Sequence, residues 1–192
     1  MVAIRRLPLP AVVAATALAL VAALGVASWL SEDPQAEGDA GSSMDLAPQG
    51  DLPDSNADVR LAALGDGGTD RTLGELLGTR PVVLNFFASW CAPCIDEMPA
   101  FERVHQSLGD QVTIVGMAYQ DAEDDALATV ARTGVTYPAY ADDGGAALTW
   151  FGGLSMPSTV FLDAAGEVVD VHSGALTEEE LRGKLSDLLG VA

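Results

Sequence analysis

Residues 82–88, Val-Val-Leu-Asn-Phe-Phe-Ala, run without a charge toward Trp90-Cys91-Ala92-Pro93-Cys94, and these two cysteines are the only ones among 192 residues. An apolar run of β-branched and aromatic residues, opened by Pro81, predicts a strand. With so few polar positions to alternate, that strand must be covered on both faces and so lies centrally in a sheet. Residues 95–108 place Ile95, Met98, Phe101, Val104 and Leu108 at spacings of three and four, which predicts a helix with one apolar face. Pro99 falls inside it and is expected to kink it. A strand passing through C-x-x-C into a helix is the sequence form of a dithiol redox site.

Other uses of the pair fit less well. A bridge across three residues constrains the unfolded chain little, so a structural staple explains it poorly. A metal site needs more ligands, and neither histidine, His105 or His172, stands at ligand spacing from the cysteines. No metal and no cofactor are expected.

The rest of the chain indicates where such a site would work. Residues 7–30 carry no charge, and 11–30 alone give 20 residues, enough at about 1.5 Å each to cross a hydrocarbon core of about 30 Å. Arg5 and Arg6 precede this segment and Glu32 and Asp33 follow it, which leaves a cytoplasmic stub and puts the remainder outside. Gly25-Val26-Ala27 also fits a small-residue cleavage site, so a cleaved secretory signal competes with a retained single-pass anchor; the length of the run favours the anchor. Residues 31–56 hold Pro34, Pro48, Pro53 and many acids with no apolar period, and are expected to be a disordered linker. The folded domain is expected over 57–192. The formal charge is −19, and all 28 acidic residues follow Ser31. A surface so acidic disfavours nucleic acid and anionic headgroups.

Within the domain, Val59 and Leu61 suggest a first strand and residues 72–77 a short helix. Residues 112–119 read as a second buried strand. Residues 124–133 read as a helix with Leu127, Val130 and Ala131 inward. An extended piece over 137–140 and a short helix over 146–151 follow. Residues 158–162 and 167–173 flank a turn at Asp163-Ala164-Ala165-Gly166 and read as a hairpin. Thr177 and Glu180 form a capping-box pattern ahead of a last helix through Leu181, Leu185, Leu188 and Leu189. The order predicts an α/β sandwich with a mixed sheet.

Five blocks, PVVLNFFASWCAPCIDEMPAFE (81–102), TIVGMAYQD (113–121), GVTYPAYAD (134–142), SMPSTVFLDAAGEVV (155–169) and GALTEEEL (174–181), resemble the thioredoxin-like proteins of the TlpA/ResA group. The resemblance runs in order from about residue 58 to the end. It implies a thioredoxin-like three-layer sandwich behind one N-terminal transmembrane helix. It also implies membrane-tethered, extracytoplasmic thiol-disulfide oxidoreductase activity.

Both the residues and the resemblance make Cys91 the attacking sulfur, at a helix start that favours its thiolate, and Cys94 the resolving one. Pro93 suits the first helical turn. Trp90 is expected to shield the site or meet a partner. The resemblance makes Pro157 a cis-proline opposite the cysteines, with Met156 before it where relatives carry a smaller or β-branched residue, and both would contact substrate. It makes Glu97, in Glu-Met-Pro, a proton partner of the dithiol. Asn85 stands where thioredoxin has a buried aspartate. Asp96 reads as a surface residue.

The resemblance further implies a reductant of protein disulfides, with the haem-binding cysteines of apocytochrome c as substrate, a membrane thiol as electron donor, and a monomeric state. An oxidant that forms disulfides in secreted proteins is the main alternative. A peroxidase of this fold would need a P-x-x-x-T loop that the sequence lacks. A copper chaperone would need a histidine at ligand spacing.

Overall fold

The computed structural model describes residues 53–65 and 68–192. The apolar segment 7–30 and most of the linker lie outside these residues. No helix among the described residues is long and apolar enough to cross a membrane. Seven strands, β1 (Arg60–Ala63), β2 (Arg71–Thr72), β3 (Val82–Phe87), β4 (Thr113–Tyr119), β5 (Ala139–Asp142), β6 (Ser158–Leu162) and β7 (Val168–Ser173), form one sheet in the order β2-β1-β5-β4-β3-β6-β7. The described helices are α1 (Ala92–Leu108), α2 (Glu123–Thr133), α3 (Ala146–Trp150) and α4 (Glu178–Leu189).

Strands β3, β4 and β5 are parallel, and α1 and α2 are the crossovers that parallel pairing demands. β6 runs antiparallel to β3, with Asn85 opposite Thr159 and Phe86 opposite Ser158. All six residues of β3 are buried, as its lack of alternation requires. Val83 and Phe87 face a core built by Met98 and Phe101 of α1, Leu181 of α4 and Ala126 of α2. Val82, Leu84 and Phe86 face a second core with Leu73 and Leu148 of α3. Each fully buried side chain of this size contributes about 1.5–3 kcal/mol. The mixed sheet between two helical layers is the three-layer sandwich expected from the sequence.

The sequence reading is corrected in three places. The helix expected over 72–77 is a short edge strand, β2, followed by a 3₁₀ turn at Leu73–Glu75. In α2 the buried residues are Ala126 and Thr129, while Leu127 and Ala131 are exposed. Leu127 lies against Gly65 at the rim instead, while Val130 packs partly buried against the core as expected. Asn56, assigned to the linker, is tied to the domain: its amide donates to the Gly166 carbonyl at 2.8 Å and accepts from the Trp150 indole at 2.9 Å.

Glu102 was not singled out by the sequence, yet it is buried on α1. Its carboxylate accepts from the Thr136 amide and hydroxyl, each at 2.7 Å, and from Gln106 at 2.8 Å. Burial alone would raise its pKa, but these hydrogen bonds outweigh burial and hold it below the ordinary range. Glu102→Ala is expected to lower stability by about 2 kcal/mol at neutral pH, because the Thr136 amide and hydroxyl lose their charged acceptor. A lowered carboxyl pKa gives stability that is present above the unfolded pKa and lost on acidification. Urea denaturation should therefore show the deficit shrinking as pH falls below about 4.5.

Candidate active site

Cys91 is the N-cap of α1, with extended backbone (φ −98°, ψ 92°), and Pro93 lies in the first turn, where a missing N–H leaves no gap. Cys94 follows within that turn. The two form a disulfide with Cα atoms 5.3 Å apart. Cys94 is fully buried and Cys91 is 5 % exposed, so what exposure the pair has belongs to Cys91. Its place at the helix N-terminus sets backbone dipoles to favour a thiolate once the bridge opens.

Because β6 is antiparallel to β3, its first residue pairs with the end of β3, from which the chain turns into Cys91. This register brings residue 157 to the strand–helix junction. The Met156–Pro157 peptide bond is cis, and the Pro157 carbonyl accepts from the Gly174 amide at 2.9 Å. Met156 packs partly buried against both cores, one of which includes Cys91 and Cys94. Trp90 is 59 % exposed, its ring edge-on to Tyr119 at 6.4 Å. Pro93, Asp96 and Leu154 are also exposed. Trp90 and Pro93, which flank the cysteines along the chain, give the site a partly apolar rim.

Glu97 is where structure adds most. It is buried one turn beyond Cys94, and both carboxylate oxygens are occupied. Asn85 donates to Oε1 at 2.7 Å and the Leu176 amide to Oε2 at 2.8 Å. Burial raises its pKa to about 7, while the bonds from Leu176 and Asn85 partly oppose the rise. Asn85 in turn accepts from the buried Tyr137 hydroxyl at 3.5 Å. Burial, and next the carboxylates of Glu97 and Glu102, push the Tyr137 phenol up. Glu97 also lines a groove of about 410 Å³ with Pro93, Ala100, Arg103 and Leu176. Glu97 thus forms part of a groove wall on the helix that carries the dithiol.

The structure therefore gathers Cys91, Cys94, Pro93, Glu97, Trp90, Met156 and Pro157 at one end of β3. The sequence did not mark Tyr137 or the Leu176 amide. One signal was available: Glu97 is three residues from Cys94 and four from Phe101, which puts it on the buried stripe of α1. Among the described residues, His105 Nδ1 and Thr159 Oγ1 are buried without a hydrogen-bond partner.

Comparison with known proteins shows the family and the fold. The Redoxin family model matches residues 48–189. The thiol-disulfide oxidoreductase ResA of Halalkalibacterium halodurans is 30 % identical over 133 residues, covering 64 % of this chain and 76 % of the relative. The thiol:disulfide interchange protein HelX of Rhodobacter capsulatus is 34 % identical over 133 residues, covering 68 % and 73 %. The thioredoxin-like protein YneN of Bacillus subtilis is 34 % identical over 109 residues, covering 55 % and 64 %, so the chain spans less than two thirds of that relative. Among solved structures, MTB DsbF superposes with a TM-score of 0.63 at 31 % identity, covering 69 % of this chain and 96 % of DsbF. The chain belongs to the Redoxin family, with a thioredoxin-like fold and a Cys-x-x-Cys pair, among relatives that are thiol-disulfide oxidoreductases.

Proposed function

We propose that this protein reduces disulfide bonds in protein partners on the extracytoplasmic side of a membrane, held there by residues 7–30. The Cys91 thiolate attacks one sulfur of the partner's disulfide. That S–S bond breaks, a mixed disulfide forms and a partner thiolate leaves. Cys94, as thiolate, then attacks Cys91 Sγ, the second partner thiol is released, and the chain keeps the Cys91–Cys94 disulfide. Two electrons have passed to the partner. A membrane thiol donor returns two electrons, and two protons complete the dithiol. The apocytochrome c haem-binding cysteines are the substrate implied by the TlpA/ResA resemblance.

The observation that carries the direction is the buried carboxyl of Glu97. A carboxylate held beside a dithiol in a desolvated site disfavours the thiolate, so the disulfide is favoured relative to the reduced pair. An enzyme poised this way gives electrons up. Its groove-lining position also lets Glu97 pass a proton between Cys94 and solvent.

Equilibration of the full chain with glutathione, followed by thiol alkylation, tests the direction. The expected potential lies between about −270 and −200 mV, the span of thioredoxin and the glutaredoxins. A value near the −120 mV or so of a strong disulfide-forming oxidant would assign the opposite direction.

A further inference from the structure

The turn that presents Cys91 is held by a side chain that takes no part in the exchange. The Cys91 amide donates to the Ala88 carbonyl at 3.1 Å and closes a four-residue turn. Inside it, Ser89 donates twice to Asp121: its amide to Oδ2 and its hydroxyl to Oδ1, each at 2.6 Å. Both are charge-assisted bonds, and together they fix the backbone and the side chain of one residue. The following residue, Trp90, rests edge-on against Tyr119.

The segment that supplies Tyr119 and Asp121 is itself fixed. Gln120 between them has φ 44°, an uncommon conformation for a residue with a side chain. Its amide donates to the Asp142 carbonyl at 3.1 Å and its side chain to the Gly144 carbonyl at 3.4 Å. A Cβ added at Gly145 would come within 2.7 Å of the Tyr119 ring, so the cradle is packed from beneath. The Tyr119–Asp121 segment is thus a rigid seat under the Ser89–Trp90 peptide.

We propose that Asp121 is a positioning residue of the dithiol, clamping the 88–91 turn so that Cys91 stays within reach of Cys94 when the disulfide is open. In the oxidised chain the S–S bond holds Cys91 in place. In the reduced chain only the turn does. A fixed turn raises the effective concentration of one sulfur at the other, which favours the disulfide. The negative charge of Asp121, two residues from Cys91 through Ser89, disfavours a thiolate there and acts in the same direction. Asp121 therefore makes the pair a stronger reductant. This rests on the thiol-disulfide reading but not on the identity of the partner.

Glutathione equilibration of the full chain and its variants tests the clamp. Asp121→Asn keeps the shape but removes the charge and turns an NH₂ toward a donor. It is expected to shift the equilibrium about tenfold toward the dithiol, a potential about 30 mV less negative. Ser89→Ala keeps the charge and loses one bond, and about a threefold shift in the same direction is expected, roughly 14 mV. The double variant should exceed Asp121→Asn by less than the Ser89→Ala effect, because the two side chains act through one contact. If Asp121→Asn lowers the melting temperature but leaves the equilibrium unchanged, Asp121 is only a staple and the proposal fails. Should that variant not fold, an unshifted Ser89→Ala overturns it equally. A wild-type chain that does not exchange with glutathione at all would instead remove the thiol-disulfide reading.

Discussion

Cys91→Ser is expected to abolish disulfide reduction, by about 10⁴-fold or more, the scale on which loss of a nucleophile acts. Cys94→Ala should keep the first attack and lose the second, so that a covalent adduct with the partner accumulates on Cys91. The asymmetry follows from geometry. Cys91 sits at the N-cap with the pair's remaining exposure, while Cys94 is sealed inside the first turn. A partner disulfide can therefore approach only one sulfur, and the second is reserved for release. Insulin reduction measures the first effect. Mass spectrometry of adducts under non-reducing conditions measures the second. If adducts form with the Cys91 variant and not with the Cys94 variant, the two roles are exchanged.

Glu97→Gln should change how stability depends on pH. The Glu97 carboxyl rises from 4.5 to about 7 on folding, chiefly through burial. Below about pH 4.5 the group is protonated in both states and its contribution is fully present. Between 4.5 and about 7 the unfolded chain ionises while the folded chain keeps its proton, so stability falls as pH rises. The loss sums to about 3 kcal/mol above the upper value. Glutamine has no proton to hold, so the variant should match the wild type near pH 4 and exceed it by that order at pH 8. Urea denaturation of the oxidised proteins across this range makes the comparison. Parallel curves would mean that Glu97 does not titrate as its burial requires. The same substitution should remove an inflection near pH 7 from the kcat/KM profile, because the proton relay titrates with the carboxyl.

The fold and the centre of this site could be read from the chain for a physical reason. Both lie in contiguous patterns. Residues 82–94 carry a strand, a turn and a helix start in order, and Thr177 with Glu180 announces α4 through a local capping box, which the structure contains. What could not be read depends on distant pairing. The residues alone left Glu97 open between a helix charge and a proton partner and the resemblance chose the partner, while Asn85 stood out only as the counterpart of thioredoxin's buried aspartate. Only the packing of α1 on β3 makes them partners, and the donor to the other oxygen lies 79 residues away at Leu176. Ser89 and Asp121 are 32 residues apart and meet because β3 and β4 are parallel neighbours. In α2, apolarity was a partial guide: Leu127 was expected inside and is exposed, whereas Val130 packs partly buried against the core beside buried Ala126 and Thr129.

The pairing of β3 with β6 has one more consequence. Pro157 directly precedes Ser158, which pairs with Phe86 of β3, while Cys91 follows Phe86 by five residues through the 88–91 turn. Neighbouring strands lie about 4.8 Å apart, which sets the base of the opening, and the 88–91 turn sets how far Cys91 stands from the opposite wall. Discrimination among partners can be written on the lip, in side chains such as Trp90 and Met156 that lie outside the ladder. A scaffold of this kind can be retargeted residue by residue while its chemistry stays in register.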